Sequence, residues 1–257
     1  MSITIAISGK GGTGKTTLAA LLIEYLEGKG ITLAVDADPN TNLNEVLGID
    51  NNFQTVGDLR EEMARDIDKI PAGMTKQQFI EYKIETALVE TNDFDFLAMG
   101  RPEGPGCYCY ANQILRQCID ILSKKYDYVV IDCEAGLEHL SRRTTRDVDI
   151  LLIVSDPSKR GLETAKRISE LANELKINIK KIYVIITKLS NNSLDDLVSF
   201  TNLPIIGTVP DDEMIKKYDF EGLPLTSLPA DAKVRQIANE IFNKIIANPD
   251  VHRDEAI

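Results

Sequence analysis

Two lysines, four glycines and three threonines crowd into one run, Ser8-Gly9-Lys10-Gly11-Gly12-Thr13-Gly14-Lys15-Thr16-Thr17. Glycines lack a Cβ, so successive backbone N–H groups can close around an anion. A lysine and a hydroxyl at the far end add a point charge and a ligand for a hard cation. The spacing matches G-x-x-x-x-G-K-[ST], the phosphate-cradling P-loop. Gly9, Lys10, Gly11, Gly12, Thr13, Gly14, Lys15, Thr16 and Thr17 are therefore the candidate nucleotide-binding set. Lys15 is placed for the β- and γ-phosphates and Thr16 for Mg²⁺. Such a cradle needs a strand to deliver its first glycine and a helix N-terminus beneath the phosphates, where the dipole favours anions. The apolar run Ile3 to Ile7 fits the strand, and the amphipathic run Leu18 to Leu26 fits the helix.

Lys10, directly after the first glycine, sharpens the motif. The string K-G-G-T-G-K-T-T resembles the deviant P-loop of the MinD/nitrogenase-iron-protein group of dimeric nucleotide switches. The resemblance implies that Lys10 reaches across a homodimer to the partner's nucleotide. Val35-Asp36-Ala37-Asp38-Pro39-Asn40 resembles the group's second nucleotide motif, which gives Asp38 the role of orienting the attacking water. A positioned carboxylate suits phosphoryl transfer, which depends on alignment and charge stabilisation. Val130-Ile131-Asp132-Cys133-Glu134-Ala135-Gly136 resembles its switch II motif, D-x-x-A-G. There Asp132 is expected to hold a Mg²⁺-bound water, and Gly136 to permit movement when the γ-phosphate leaves. Lys10, Lys15, Asp38 and Asp132 form the catalytic set. Guanine-binding relatives carry N-K-x-D after a strand; here the stretch reads Thr187-Lys188-Leu189-Ser190, which favours ATP/ADP. Pro210-Asp211-Asp212 resembles the P-x-D loop that flanks adenine. Thr187, Lys188, Pro210, Asp211 and Asp212 therefore join the nucleotide-binding set.

A thiol pair, Cys107-Tyr108-Cys109, follows Gly100-Arg101-Pro102-Glu103-Gly104-Pro105-Gly106, between an expected strand and an expected helix. One pair supplies two ligands. Two pairs meeting at a twofold axis would supply four thiolates, suited to Zn²⁺ or iron–sulfur chemistry, or to Ni²⁺ if nearly square-planar. Taken together, K-G-G-T-G-K-T-T, G-R-P-E-G-P-G-C-Y-C and D-C-E-A-G-L-E-H-L resemble the CooC/AcsF-type nickel-insertion accessory ATPases of carbon monoxide dehydrogenase and acetyl-CoA synthase. That resemblance implies that Cys107 and Cys109 hold Ni or Zn at a dimer interface. It also implies that ATP hydrolysis drives nickel into the client enzyme's cluster. The alternative is an iron–sulfur carrier or electron-transfer ATPase of the nitrogenase-iron-protein type. Against it, His139 stands where that family has its second cluster cysteine, and the C-P-x-C geometry of the carriers is missing. Cys118 falls at core spacing with Ile114, Leu115, Ile121 and Leu122, and Cys133 reads as packing.

The elements that must hold these groups follow from the rest of the chain. Its 257 residues carry a net charge of −11, with a pI near 4.8. That surface argues against nucleic-acid or anionic-membrane partners, including the positioning ATPases of this superfamily. Met1 leads straight into strand residues and no apolar run approaches a membrane span, so neither signal peptide nor transmembrane helix is expected. Four unevenly spaced cysteines fit a reducing cytoplasm. Strands rich in Val and Ile are expected at Thr4–Ser8, Thr32–Asp36, Phe94–Met99, Tyr128–Asp132, Ile150–Ser155, Ile182–Thr187 and Ile205–Val209. Helices are expected at Leu18–Leu26, Ala111–Ser123, Gly161–Leu175 and Val234–Ile246. The alternation predicts an α/β fold: one P-loop NTPase domain over 1–257, with a mostly parallel sheet, helices on both faces and ligands at the carboxyl ends of the strands. Asn51 to Asn92 is long for one crossover and reads as charged and helical, broken near Pro71 and Gly73.

Overall fold

The computed structural model describes residues 2–66, 70–101, 108–135, 147–175, 177–189 and 202–246. Val- and Ile-rich runs that are apolar on both sides can only be strands sandwiched between layers, and all seven expected strands are found. They are β1 (Ile3–Gly9), β2 (Thr32–Ala37), β4 (Asp95–Ala98), β5 (Tyr128–Cys133), β6 (Asp147–Ser155), β7 (Asn178–Leu189) and β8 (Ile205–Pro210), with a short β3 (Val89–Glu90) added. They form one sheet in the order β3-β4-β2-β5-β1-β6-β7-β8. Neighbours run parallel except β3 and β4.

The described helices are α1 (Lys15–Leu26), α2 (Leu43–Leu47), α3 (Val56–Asp66), α4 (Lys76–Thr86), α5 (Tyr108–Leu122), α6 (Lys159–Glu174), α7 (Glu213–Glu221) and α8 (Lys233–Ile246). They cover both faces. Alternate residues of each strand enter opposite cores, as period-2 geometry demands. Ile5, Ile7, Ile150, Leu152 and Val154 pack with Leu22 of α1 and Phe242 of α8. Ala6, Leu151, Ile153 and Ile131 pack with Leu115 and Cys118 of α5 and Ile168 of α6. Cys118 is fully buried, and burial lifts its thiol to about 12; it is a core residue.

The long crossover is helical, as its pattern predicts. Pro71 and Gly73 interrupt it, with Met74 N–H donating to the Pro71 carbonyl at 3.0 Å. Thr75 and Gln78 then form a reciprocal capping box that starts α4. Several boundaries differ from expectation: β6 and β7 start earlier, at Asp147 and Asn178, and α1 starts at Lys15. β4 ends at Ala98, because Gly100 turns the chain with φ 65°. Helix α5 starts at Tyr108 rather than near Ala111, so Cys109 lies in its first turn and not in an irregular loop. Cys107 lies outside the described residues, as do Gly136, His139 and Ser190. No described helix is long and apolar enough to cross a membrane.

Candidate nucleotide site

β1 and α1 meet at the P-loop, and backbone packing explains its glycines. Gly9 pairs with Val154 on β6, and a Cβ on Gly9 would stand 2.1 Å from the Val154 carbonyl oxygen. Gly14 precedes α1 in the left-handed region at φ 85°. Three loop carbonyls are engaged from inside the protein. Lys10 O accepts from Thr13 Oγ1 at 2.9 Å and from Lys15 Nζ at 3.2 Å. Thr187 Oγ1 donates to Thr13 O at 2.8 Å, and Lys188 Nζ to Gly12 O at 3.0 Å. With these carbonyls held, the loop's N–H groups are the ones left for an anion. Lys15 is 8% exposed. Burial lowers its pKa, and Asp132 opposes that in part.

Two carboxylates stand side by side at the ends of β2 and β5, where Asp36 is in register with Asp132. Asp36 is fully buried and gathers the chain that follows it. It accepts from Asp38 N at 3.0 Å, and from Asn42 N and Leu43 N at 2.9 Å each. Burial raises its pKa to about 6, against those hydrogen bonds. Asp132 is 2% exposed and its Oδ1 has no hydrogen-bond partner among the described residues. Burial raises its pKa to about 7, against a hydrogen bond from Thr16 and the charge of Lys15. A buried, unpartnered carboxylate oxygen beside a hydroxyl at a helix N-terminus is the donor set a hard cation takes, so these residues fit Mg²⁺.

Asp38 is half-buried. Its Oδ1 accepts from Asn40 N at 2.8 Å and Asn40 Nδ2 at 3.0 Å. Lys10 turns to Asp156, 3.6 Å away. Partial burial works against the Asp156 carboxylate, but hydrogen bonds from Ser158 and the Lys10 charge hold its pKa below the ordinary value. Ser158 in turn caps α6 through Gly161 N. Cys133 ends β5, 1% exposed, with its thiol against Ile131 O at 3.8 Å.

A cavity of about 410 Å³ runs from the P-loop to α7. Thr187, Lys188, Pro210, Asp211 and Asp212, far apart in sequence, come together along it with Gly12 to Thr17. The two aspartates also serve α7. Asp212 caps it by accepting from Met214 N at 2.8 Å and Ile215 N at 3.2 Å, and Asp211 pairs with Lys216. The sequence did not single out Ile215, Asp219 and Val234, which also line it, nor Asp156. Asp36 was legible as a carboxylate inside a buried strand, a placement that requires partners. Helix α5 runs back from the carboxyl edge of the sheet to the start of β5. Its first turn, with Cys109, therefore stands at the edge that carries the P-loop, Asp38 and Asp132.

A strand–glycine loop–helix with acidic residues ending two neighbouring parallel strands defines a P-loop nucleotide-hydrolysing protein. Residues 4–225 match the family described as CobQ/CobB/MinD/ParA nucleotide binding domain. The chain belongs to this family and is an ATPase of that class. It is 51% identical over 248 residues to an uncharacterised ATP-binding protein of Methanocaldococcus jannaschii, covering 94% of this chain and 98% of that protein. It is 32% identical over 235 residues to the carbon monoxide dehydrogenase accessory protein CooC of Rhodospirillum rubrum, covering 85% of this chain and 88% of CooC. In fold it resembles the septum site-determining protein MinD complexed with Mg-ADP from Pyrococcus horikoshii. The TM-score is 0.72 at 24% identity, covering 96% of this chain and 98% of that one.

Proposed function

We propose that this chain is an ATP-dependent metallochaperone that acts in the cytoplasm as a homodimer, its 257 residues working as one domain. It would take Ni²⁺ as cargo through Cys107 and Cys109 and insert it into the metal cluster of carbon monoxide dehydrogenase or acetyl-CoA synthase. The observation that carries this reading is the sequence Cys107-Tyr108-Cys109, whose Cys109 lies in the first turn of α5, in a chain similar to CooC over most of its length.

In this reading Lys15 and the loop N–H groups grip the phosphates of ATP, and adenine lies toward Pro210 and α7. Thr16 and Asp132 would hold Mg²⁺, which supplies charge neutralisation on the phosphates when bound. Asp38 orients a water for in-line attack on the γ-phosphorus; the bond to the bridging oxygen breaks, and ADP and phosphate leave. Lys10 exchanges Asp156 for the partner's nucleotide when two copies close. Asp132 and the Asp36–Leu43 segment respond to the lost γ-phosphate, and the two thiol pairs change their spacing. Metal and nucleotide affinities must then depend on one another reciprocally.

The test is anaerobic titration of Ni²⁺ and Zn²⁺ into reduced protein, with ADP, with ATP and with neither. The Cys107→Ala/Cys109→Ala variant runs alongside. One metal per pair of chains, dependent on the cysteines and altered by nucleotide, is the expected result. ATPase activity without cysteine-dependent metal would remove the nickel reading. Charge-transfer absorption in protein purified anaerobically would favour the iron–sulfur alternative.

A further inference from the structure

Asp38 is the carboxylate read above as orienting the attacking water, and a carboxylate half-exposed on a loop is not oriented by itself. Among the described residues its side chain takes its hydrogen bonds on Oδ1, from the backbone and side-chain amides of Asn40. Oδ2 is left as the oxygen for a water. The Asn40 amide is held in turn, since Arg101 Nη2 donates to Asn40 Oδ1 at 2.8 Å. A guanidinium can only donate and a carboxylate can only accept, so the amide between them has one orientation. The three side chains form a single directed relay from Arg101 to Asp38.

The far end of the relay is anchored to the same framework. Met99 N donates to Asp36 O at 2.8 Å, and Gly57 N to Met99 O at 2.9 Å. Gly100 then turns in the left-handed region with φ 65°, where a Cβ would meet the Thr55 side chain at 2.4 Å. Thr55 is itself fixed by Asp58, which accepts from its N–H at 2.9 Å and its hydroxyl at 2.7 Å. Arg101 therefore leaves a tightly defined turn, on the rim of a polar cleft shared with Pro39, Asn40 and Thr41.

We propose that Asn40 and Arg101 are positioning residues for ATP hydrolysis, Arg101 fixing the Asn40 amide and Asn40 fixing the Asp38 carboxylate. Both side chains are exposed, where water competes for the hydrogen bond and its contribution to stability is small. Their effect therefore falls on the geometry of the reacting water rather than on the fold. The proposal rests on the reading of Asp38 and deepens it.

The experiment is steady-state ATP hydrolysis and ATP binding by the full chain, with a thermal melt of each protein, for Asp38→Asn, Asn40→Ala, Arg101→Ala, Arg101→Lys and the Asn40→Ala/Arg101→Ala double variant. Misplacing a reacting group by a fraction of an ångström costs roughly tenfold or more in rate. Arg101→Ala and Asn40→Ala should each lower kcat by about that factor, with KM, ATP affinity and Tm unchanged. Arg101→Lys should recover part of it, because an ammonium can still donate to Asn40 Oδ1. The double variant should lose no more than either single one, as members of one relay must. If Asp38→Asn hydrolyses ATP normally, the reading of Asp38 fails. If Asp38→Asn is inactive while Arg101→Ala keeps its kcat, or the two losses add, the relay is overturned.

Discussion

Replacing Asp132 by Asn separates the stability of this protein from its chemistry. Asp132 is 2% exposed, with one oxygen unpartnered among the described residues. Burial carries its carboxyl from the ordinary 3.8 to about 7, against Thr16 and Lys15. That displacement corresponds to about 4 kcal/mol against the ionised form. The folded pKa lies above the unfolded one. The contribution to stability is therefore complete below about pH 4 and is lost as pH rises through about 7, where the folded carboxyl gives up its proton. About half of the loss falls between about pH 5.5 and about pH 8.5. Asn carries no charge at any of these values. In urea unfolding without nucleotide or Mg²⁺, Asp132→Asn should therefore gain on the parent protein by about 2 kcal/mol across that interval. Asp36, raised to about 6 by its own burial, is present in both proteins and largely cancels. Adding Mg-ATP should reverse the order, because the ligand stabilises only the protein that binds it well. A stability difference that stays constant across the interval would refute the account of Asp132 as a carboxylate held in a dry site for a cation.

Two further outcomes follow from the loop. Lys15→Ala should lose tight nucleotide binding, measured by fluorescence of a labelled ADP; Lys10→Ala should bind nucleotide yet lose hydrolysis, and light scattering should show none of the dimer proposed for the parent protein with ATP. Normal turnover by Lys10→Ala would end the cross-dimer role. Thr187→Val keeps the shape of the side chain but leaves the Thr13 and Ser155 carbonyls, now 2.8 Å and 3.3 Å from its hydroxyl, without that donor. It should cost about 1–3 kcal/mol in a thermal or urea melt, and it should weaken ADP binding as well.

Strands buried on both faces announce themselves, because nothing else in a chain this charged is so continuously Val and Ile. β3 did not: two residues, Val89 and Glu90, paired antiparallel at an edge are too short to show a period. The start of α5 was set too late because Cys-Tyr-Cys reads as ligand chemistry rather than as a first helical turn. The P-loop was legible residue by residue, since backbone geometry dictates its glycines. Thr187 and Lys188 were found through the position of a missing guanine motif, but their grip on the Thr13 and Gly12 carbonyls was not visible. Nor was the meeting of Asn40 with Arg101, 61 positions apart. Such contacts depend on how β2 and β4 lie side by side, and periodicity carries no information about which loop ends face each other.

The burial of Cys118 and Cys133 supplies an internal reference for the protein's sulfur. Both are sealed in the core at 0% and 1% exposure, and burial pushes both thiols well above their ordinary pKa. A water-soluble alkylating reagent needs a thiolate it can reach, so it will leave these two unlabelled until the fold opens. Any label taken up by the native chain then counts Cys107 or Cys109, and if the proposed metal is held there, adding it should suppress that label. Two of the four cysteines thus serve as an internal blank, and the proposed metal binding can be tested on the unmodified protein without first removing a cysteine.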